Sequence, residues 1–175
     1  MSTHRLTPDI WLAVGLQALQ EQGPRALAAE PLARRLNTTK GSFYWHFPDV
    51  PAFQAALLDM WCREAEAALL TAGQKAGPAD RKLRDFCDSL LSDPNEQSMR
   101  LWAGSDAGVA IRLRALDAER LKHVTELLRE LGLGNKGFAL ALLGTIVGLP
   151  LTQGTDPAQR LQAVETMIDT VLALT

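Results

Sequence analysis

The fold is decided by residues 32–47, which run Leu32-Ala33-Arg34-Arg35-Leu36-Asn37-Thr38-Thr39-Lys40-Gly41-Ser42-Phe43-Tyr44-Trp45-His46-Phe47. Leu32 and Leu36 are one helical turn apart, which is the spacing of a buried stripe. Asn37 predicts the end of that helix, because asparagine tolerates a left-handed backbone. Thr39 predicts the start of a second helix, because its hydroxyl can cap a free backbone N–H. The stretch therefore predicts a helix-turn-helix, whose second helix typically enters the DNA major groove.

The second helix of this motif divides into an inward and an outward face. Phe43 and Phe47 are four residues apart, so both rings can face inward. Hydroxyls and free N–H groups at the helix start suit phosphate oxygens, a lysine suits a guanine edge or a phosphate, and glycine permits close approach to DNA. The predicted DNA-binding residues are Thr38, Thr39, Lys40, Gly41, Ser42, Tyr44, Trp45 and His46. For Tyr44 and Trp45, partial packing in the core is the alternative.

The run from Thr38 to Phe47, following Leu32 to Leu36 at this distance, resembles the signature of the TetR family of bacterial transcriptional regulators. The resemblance covers roughly residues 6–58. It implies the same DNA contacts position by position, a homodimer formed by the last two helices, and a small, largely apolar effector bound in the C-terminal part. It also implies that effector binding changes the spacing of the two DNA-reading domains.

Two positions depart from the family pattern. Ala28 stands where a capping serine or threonine is usual, and the missing cap should cost on the order of 1 kcal/mol. Val50 stands where the family often has a lysine that contacts the DNA backbone. Val50 therefore predicts weaker phosphate anchoring, or an anchor supplied by Lys40, Arg34 or Arg35.

The composition favours a globular protein with a modest basic excess at the motif. Hydrophobic residues make up 47% of the 175 residues, which is enough for a core. The formal net charge is −2, which argues against a generally basic nucleic-acid coat protein. Residues 1–47 nevertheless hold five Lys or Arg against three Asp or Glu. The absence of a signal-peptide pattern, and an apolar run at 137–151 too short to cross a bilayer, predict a cytoplasmic protein.

Turn and capping signals divide the rest of the chain into helices, and no strand pattern appears. The predicted class is all-α with about nine helices. Residues 1–48 form the helix-turn-helix domain, helix 49–72 links the two parts, and residues 73–175 form an effector-binding and dimerisation domain. Later helices are expected to start at the caps Asp80 and Asp93, and to span about 109–131, 136–152 and 157–174.

The last two helices predict the oligomeric state. Helix 136–152 is apolar nearly all round, so it must be covered on more than one side. Gly144 and Gly148 would let another backbone approach closely. We expect a C2 homodimer joined by a four-helix bundle, the alternative being a helix buried within one subunit. The predicted interface residues are Phe138, Leu142, Ile146, Leu149, Leu161, Val164, Ile168 and Val171.

Catalysis and metal binding have little support. The three histidines are far apart, no catalytic motif is present, and Cys62 and Cys87 fit neither a disulfide nor a zinc pattern. No cofactor is expected. The candidate effector contacts are Trp61, Phe86, Met99, Trp102, Leu116 and His123, although each is more often a core residue. The expected function is a ligand-responsive repressor that binds a palindromic DNA operator as a homodimer. The alternatives are an all-helical small-molecule-binding or adaptor protein that has lost operator binding and, with less support, a helical enzyme.

Overall fold

The computed structural model describes residues 6–152 and 154–173, and every regular element within them is helical. The helices are α1 Pro8–Gln22, α2 Ala29–Arg35, α3 Lys40–Tyr44, α4 Val50–Gln74, α5 Ala79–Leu91, α6 Glu96–Ala103, α7 Ala107–Glu130, α8 Lys136–Gly148 and α9 Pro157–Leu172. Short 3₁₀ turns at Pro24–Ala26 and Leu149–Leu151 follow α1 and α8. The all-α class with nine helices is confirmed. None of the helices described has both the length and the hydropathy needed to cross a membrane.

Side-chain caps begin most of the longer helices: α1, α4, α7, α8 and α9 are capped by Thr7, Asp49, Asp106, Asn135 and Asp156. The Asp49 carboxylate accepts the Ala52 N–H at 2.7 Å, which starts α4. Asp156 and Gln159 form a reciprocal capping box at the start of α9. These contacts satisfy backbone donors that have no partner inside a helix.

Several predicted boundaries are wrong. Asp80 lies in the first turn of α5, whose N-cap is Pro78, and so it does not cap the helix with its side chain. The helix expected to begin at Asp93 begins at Glu96, because the Asp93 carboxylate instead accepts the N–H of Asn95. The helix expected to reach residue 152 ends at Gly148 and tightens into the 3₁₀ turn that contains Pro150. The predicted end of α9 at residue 174 lies outside the described residues.

The apolar side chains form two separate cores. We call the first the head core; it joins α1 to α4 and includes the fully buried Trp11, Phe43 and Phe53. We call the second the body core; it joins α5, α8, α9 and the C-terminal half of α7. A ring of charges lies between α6 and α7 and consists of Glu96, Arg100, Asp117 and Arg120.

The head core extends beyond the helix-turn-helix domain. Met99 and Trp102 of α6, with Val109, Leu113 and Leu116 of α7, are buried in it. The domain division at residue 73 stays a prediction, but the packing of apolar side chains does not follow it. Ile111 of α7 is apolar but 60% exposed, so it belongs to neither core.

The ring of charges is almost removed from water. Glu96 and Arg120 are 5% and 4% exposed and form a two-bond pair at 2.9 and 3.0 Å. Arg100 forms a second such pair with Asp117 at 2.8 and 2.9 Å. Arg100 also contacts Glu96 at 2.5 Å, and Arg120 contacts Asp117 at 3.3 Å, which closes the ring. Because each charge has partners of opposite sign, the cluster fixes α6 against α7 without leaving a buried charge unpaired.

Close packing of α1 against α4 depends on a glycine. A Cβ at Gly15 would lie 2.6 Å from the tip of the Phe53 ring and 2.7 Å from a methyl of Leu57. Both neighbours are fully buried, so neither can move without disturbing the head core.

Gly15→Ala is therefore expected to lower the free energy of unfolding by about 1–3 kcal/mol through overpacking. This loss exceeds the gain of about 0.5–1 kcal/mol that alanine brings to a helix interior. Gly73→Ala in α4 is the matched control, because its Cβ would meet the nearest atom, in the His123 ring, only at 3.9 Å. Denaturant unfolding at one protein concentration measures both. Equal stability of the two variants would contradict the tight α1–α4 contact.

Candidate nucleic-acid interface and ligand cavity

The turn between α2 and α3 is built as the sequence predicts. Asn37 has φ of 50°, the left-handed conformation. The N–H of Asn37 donates to the Arg34 carbonyl at 3.2 Å, and the N–H of Thr38 donates to the Ala33 carbonyl at 2.9 Å. This pair of bonds is a Schellman motif, which satisfies the free carbonyls at the end of α2. The chain then enters α3, capped by Thr39, whose hydroxyl accepts the Ser42 N–H at 3.3 Å.

Aromatic packing fixes the orientation of α3. Phe43 is 0% exposed and Phe47 is 6% exposed, so both face inward as predicted. The Phe43 ring lies 5.4 Å from Trp11 and 5.3 Å from Phe53, both in edge-to-face geometry. One ring thus ties α3 to α1 and to α4.

The opposite side of α3 faces solvent. Trp45 is 89% exposed and Tyr44 is 45% exposed, so Trp45 is not a core residue. The Lys40 ammonium lies 5.9 Å from the centre of the Tyr44 ring. Thr39, Gly41, Ser42, Trp45 and His46, with Leu6, line a shallow surface recess. Thr38 and His46 are half-buried. The structure therefore brings the eight predicted DNA-binding residues to one end of the molecule, around α3.

One detail of that prediction is wrong. The Ser42 N–H is not free for a phosphate, because the carbonyl and hydroxyl oxygens of Thr39 both accept it. The hydroxyl of Ser42 and the hydroxyl hydrogen of Thr39 still face the recess as possible donors.

Positive charge around α3 is sparse. Arg34 pairs with Glu30 at 3.1 Å, and Arg35 pairs with Glu21 at 2.8 Å. The hydrogen bond from Arg35 also lowers the pKa of Glu21. Val50, where the family resemblance implies a lysine, packs half-buried against the head core. Lys40 forms no ion pair with any described residue, so it is the cation of α3 left available for a phosphate or base.

The geometry defines a helical protein whose helix-turn-helix has an exposed outer face on its second helix. Residues 12–49 match the family model described as bacterial regulatory proteins, tetR family. The match covers the helix-turn-helix, so the predicted resemblance of this region to the family is confirmed. No curated protein matches the chain at a significant level.

Solved structures extend the likeness to the whole fold. A transcriptional regulator from Rhodococcus sp. Rha1 is similar with a TM-score of 0.76 and 20% identity, over 96% of this chain and 97% of that one. A TetR/AcrR-family transcriptional regulator from Thermobifida fusca has a TM-score of 0.65 and 16% identity, over 94% and 96% of the two chains. The fatty acid degradation regulator FadR from Bacillus halodurans has a TM-score of 0.67 and 13% identity, over 98% of this chain and 97% of that one. These TM-scores show a shared fold, that of TetR-family transcriptional regulators.

A cavity of about 260 Å³ lies between the two cores. Its walls come from α4, α5, α7 and the segment before α6. Trp61 and Phe86, two of the predicted effector contacts, line it. The ring of His123 packs against Phe86 at 5.2 Å but does not line the cavity.

The other predicted effector contacts lie elsewhere. Met99, Trp102 and Leu116 are buried in the head core, and none of them lines this cavity. Trp102 instead borders a smaller recess between α4 and the start of α7. Their apolar character is thus explained by packing.

Sequence reasoning missed the polar groups of the cavity wall: Glu64, Asp93, Asn95 and Arg120. In the sequence these four residues resemble ordinary polar residues on the solvent-exposed face of an amphipathic helix. Their spacing therefore does not distinguish them from surface residues. No group of metal-binding side chains occurs among residues 6–152 and 154–173. Cys62 and Cys87 are buried apart, and burial raises the pKa of Cys87 to about 12, which keeps its thiol protonated and unreactive.

The predicted dimer residues divide into two groups. Leu142, Ile146, Val164 and Ile168 are at most 1% exposed and belong to the body core of the single chain. They are therefore core residues and not side chains offered to a second subunit. Phe138, Leu149, Leu161 and Val171 are half-buried at the edges of α8 and α9.

His123 makes the stability of the fold depend on pH. Burial lowers the pKa of His123, with Glu126 partly opposing the shift, and its Nε2 has no hydrogen-bond partner among the described residues. The unfolded chain then binds a proton more readily than the folded chain. Stability from this group is therefore complete above the ordinary histidine pKa of about 6.5 and is lost as pH falls through it.

We expect the wild type to lose more stability than His123→Gln between pH 7.5 and 5.5. Denaturant midpoints at the two pH values measure the difference, since carboxylate titration is common to both proteins. Parallel pH profiles for the two proteins would show that His123 does not carry this dependence.

Proposed function

We propose that the protein is a homodimeric, ligand-responsive transcriptional repressor that binds a palindromic DNA operator. The observation that carries the proposal is the exposed face of α3, where Lys40, Tyr44 and Trp45 project from a helix held by buried Phe43. Lys40 is assigned to a guanine edge or a phosphate, and Tyr44 to a sugar or a thymine methyl. Two such helices in one dimer would enter successive major grooves.

The surface of α8 and α9 supports the dimer. The exposed side of α8 carries Leu140, which is 61% exposed, beside Ala141 and Gly144. Nothing lies within 4 Å of a Cβ placed at Gly144, so a second backbone can approach there. The neighbouring side of α9 presents Gln162, Ala163, Thr166 and Thr170. Arg84 of α5 pairs with both Glu165 and Asp169, which holds the α9 carboxylates away from this surface. An uncharged surface with small residues suits a two-fold contact between copies.

A route for the ligand response runs through the start of α6. Asn95 borders the cavity, and its side-chain oxygen accepts a hydrogen bond from Gln20 of α1 at 2.5 Å. Met99 and Trp102 of α6 pack in the head core. A ligand that shifts residues 93–95 would therefore move a helix that packs against the DNA-binding helices. A second route runs along α4, because this helix packs in the head core and also contacts the body core.

Selection from random duplex DNA is the test of the proposed function. We expect an enriched palindrome whose half-sites lie about one helical turn apart. Lys40→Ala combined with Tyr44→Ala should weaken binding to the winning site by about 10-fold or more, since a good base contact contributes roughly 1–3 kcal/mol. Lys122→Ala is the matched charge control, because Lys122 is exposed on α7 far from α3 in sequence.

The same selection separates the alternative function. A folded dimer that enriches no sequence at low salt would contradict the repressor and favour the ligand-binding or adaptor protein. Val50 favours this alternative, because the family resemblance implies a lysine that contacts the DNA backbone at this position. An equal loss of affinity in Lys122→Ala would show that the chain binds DNA by charge alone.

The dimer has its own test. Ala141→Glu should convert the dimer to monomers, because a two-fold axis would bring two buried carboxylates close together. Ala118→Glu, the same substitution at an exposed site of α7, should leave the dimer intact. Analytical ultracentrifugation measures both. A wild-type monomer at micromolar concentration, or a dimer unaffected by Ala141→Glu, would contradict this interface.

A further inference from the structure

The cavity between the two cores has a distinct charge pattern. Two carboxylates lie in its wall: Glu64 on α4 and Asp93 in the segment before α6. Neither forms an ion pair with a side chain among residues 6–152 and 154–173. Asp93 accepts the Trp61 indole N–H at 3.2 Å and the Asn95 N–H at 2.8 Å, which leaves each oxygen able to accept a further bond.

Arg120 is the cation of the cavity wall among the described residues, and carboxylates already neutralise its charge. The Arg120 guanidinium donates twice to Glu96 and once to Asp117. Its central carbon lies 5.8 Å from the centre of the Trp61 ring. Since Arg120 belongs to the neutral ring with Arg100, Glu96 and Asp117, the wall carries an excess of two negative charges.

The remaining lining is apolar and partly aromatic. Phe86 and Leu90 of α5 face Trp61, Ala65 and Leu69 of α4. Glu64, Ala68 and Ser89 are exposed, so they mark the side open to solvent. A cavity of about 260 Å³ is at the small end of ligand sites, so it fits a compact molecule with one or two rings.

We propose that this cavity binds an organic cation, an ammonium or amidinium group attached to a flat apolar body. The cationic group bonds to Asp93 and Glu64, and the apolar body lies against Phe86 and Leu69. The inference rests on the proposed function, because it gives the chemical class of the effector. It also supplies a counter-charge for Asp93, which is half-buried and has no cationic partner among the described residues.

An anionic ligand does not fit this wall. It would be repelled by Glu64 and Asp93, and the charge of Arg120 is already balanced by three hydrogen bonds to carboxylates. A neutral ligand would gain the apolar contacts but would leave the two carboxylates without a counter-charge.

Calorimetric titration with three probes of one shape tests the class of ligand. The probes are 1-naphthylmethylamine, 1-naphthalenemethanol and 1-naphthoate, which carry a positive charge, no charge and a negative charge on the same ring system. We expect the amine to bind about 10-fold or more tightly than the alcohol, since a hydrogen bond to a charged group contributes roughly 1.5–3 kcal/mol. Naphthoate should bind most weakly.

Two variants locate the binding site. Asp93→Asn should weaken amine binding by about 10-fold, and Glu64→Gln by about threefold, because Glu64 is more exposed. Both should leave alcohol binding unchanged. The amide introduced by Asp93→Asn keeps an oxygen that can accept the Trp61 N–H, so the fold should persist, as thermal unfolding would confirm. Glu66→Gln is the matched control: it removes an exposed carboxylate from the same helix but outside the cavity.

Equal affinity for the three probes, tighter binding of naphthoate, or no amine binding at millimolar concentration would overturn the proposal. So would an equal loss of amine affinity in Glu66→Gln and Glu64→Gln. The titration uses no DNA, so its result is independent of operator selection. If an operator is selected but the amine does not bind, the repressor stands and the ligand class is wrong. If the amine binds but no operator is selected, the cavity is a binding site in a protein that does not read DNA.

Discussion

The burial of one aromatic ring, Phe43, holds the proposed DNA-reading surface in place. The helix that carries it, α3, has five residues, which is far too short to be stable alone in water. Its position comes from edge-to-face contacts of Phe43 with Trp11 of α1 and Phe53 of α4. Phe53 can reach that place because Gly15 has no side chain in its way. With Phe43 facing inward, Tyr44 and Trp45 must face outward, since successive helical residues are about 100° apart.

The same core explains why the packing of apolar side chains does not follow the division predicted at the end of α4. Met99 and Trp102 of α6 complete the head core from the far side of the sequence. The paired charges of Glu96, Arg100, Asp117 and Arg120 then lock α6 to α7. Such a cluster is costly to break, because removing one partner leaves a buried charge. The start of α6 is therefore fixed to α7 by this ring, whose Arg120 also lines the cavity.

The sequence was informative in the helix-turn-helix, where local signals decide the structure. Asn37 predicts its left-handed turn, Thr39 predicts its helix start, and the spacing of Phe43 and Phe47 predicts the inward face of α3. The local cap signals at Asp80 and Asp93 were wrong. The sequence was less informative where the outcome depends on distant partners. Glu96 and Arg120 resemble surface charges by spacing and become buried only because Asp117 and Arg100 complete the ring. Likewise Leu142 and Ile146 are apolar whether they face their own subunit or another, and only the packing of α5 and α9 assigns them to the body core.

A ligand can shift an equilibrium only if it binds two states with different affinity. In this structure, Asp93 holds the Trp61 indole and the start of α6 together through one carboxylate. In the proposed binding mode, a cation that draws this carboxylate toward the ligand would favour a state in which residues 93–95 have moved. Asn95 belongs to that segment and accepts a hydrogen bond from Gln20 of α1. The rest of α6 packs in the head core, which also contains Trp61. Under this proposal, charge at the cavity wall is linked to the geometry of the DNA-binding helices through a segment of three residues.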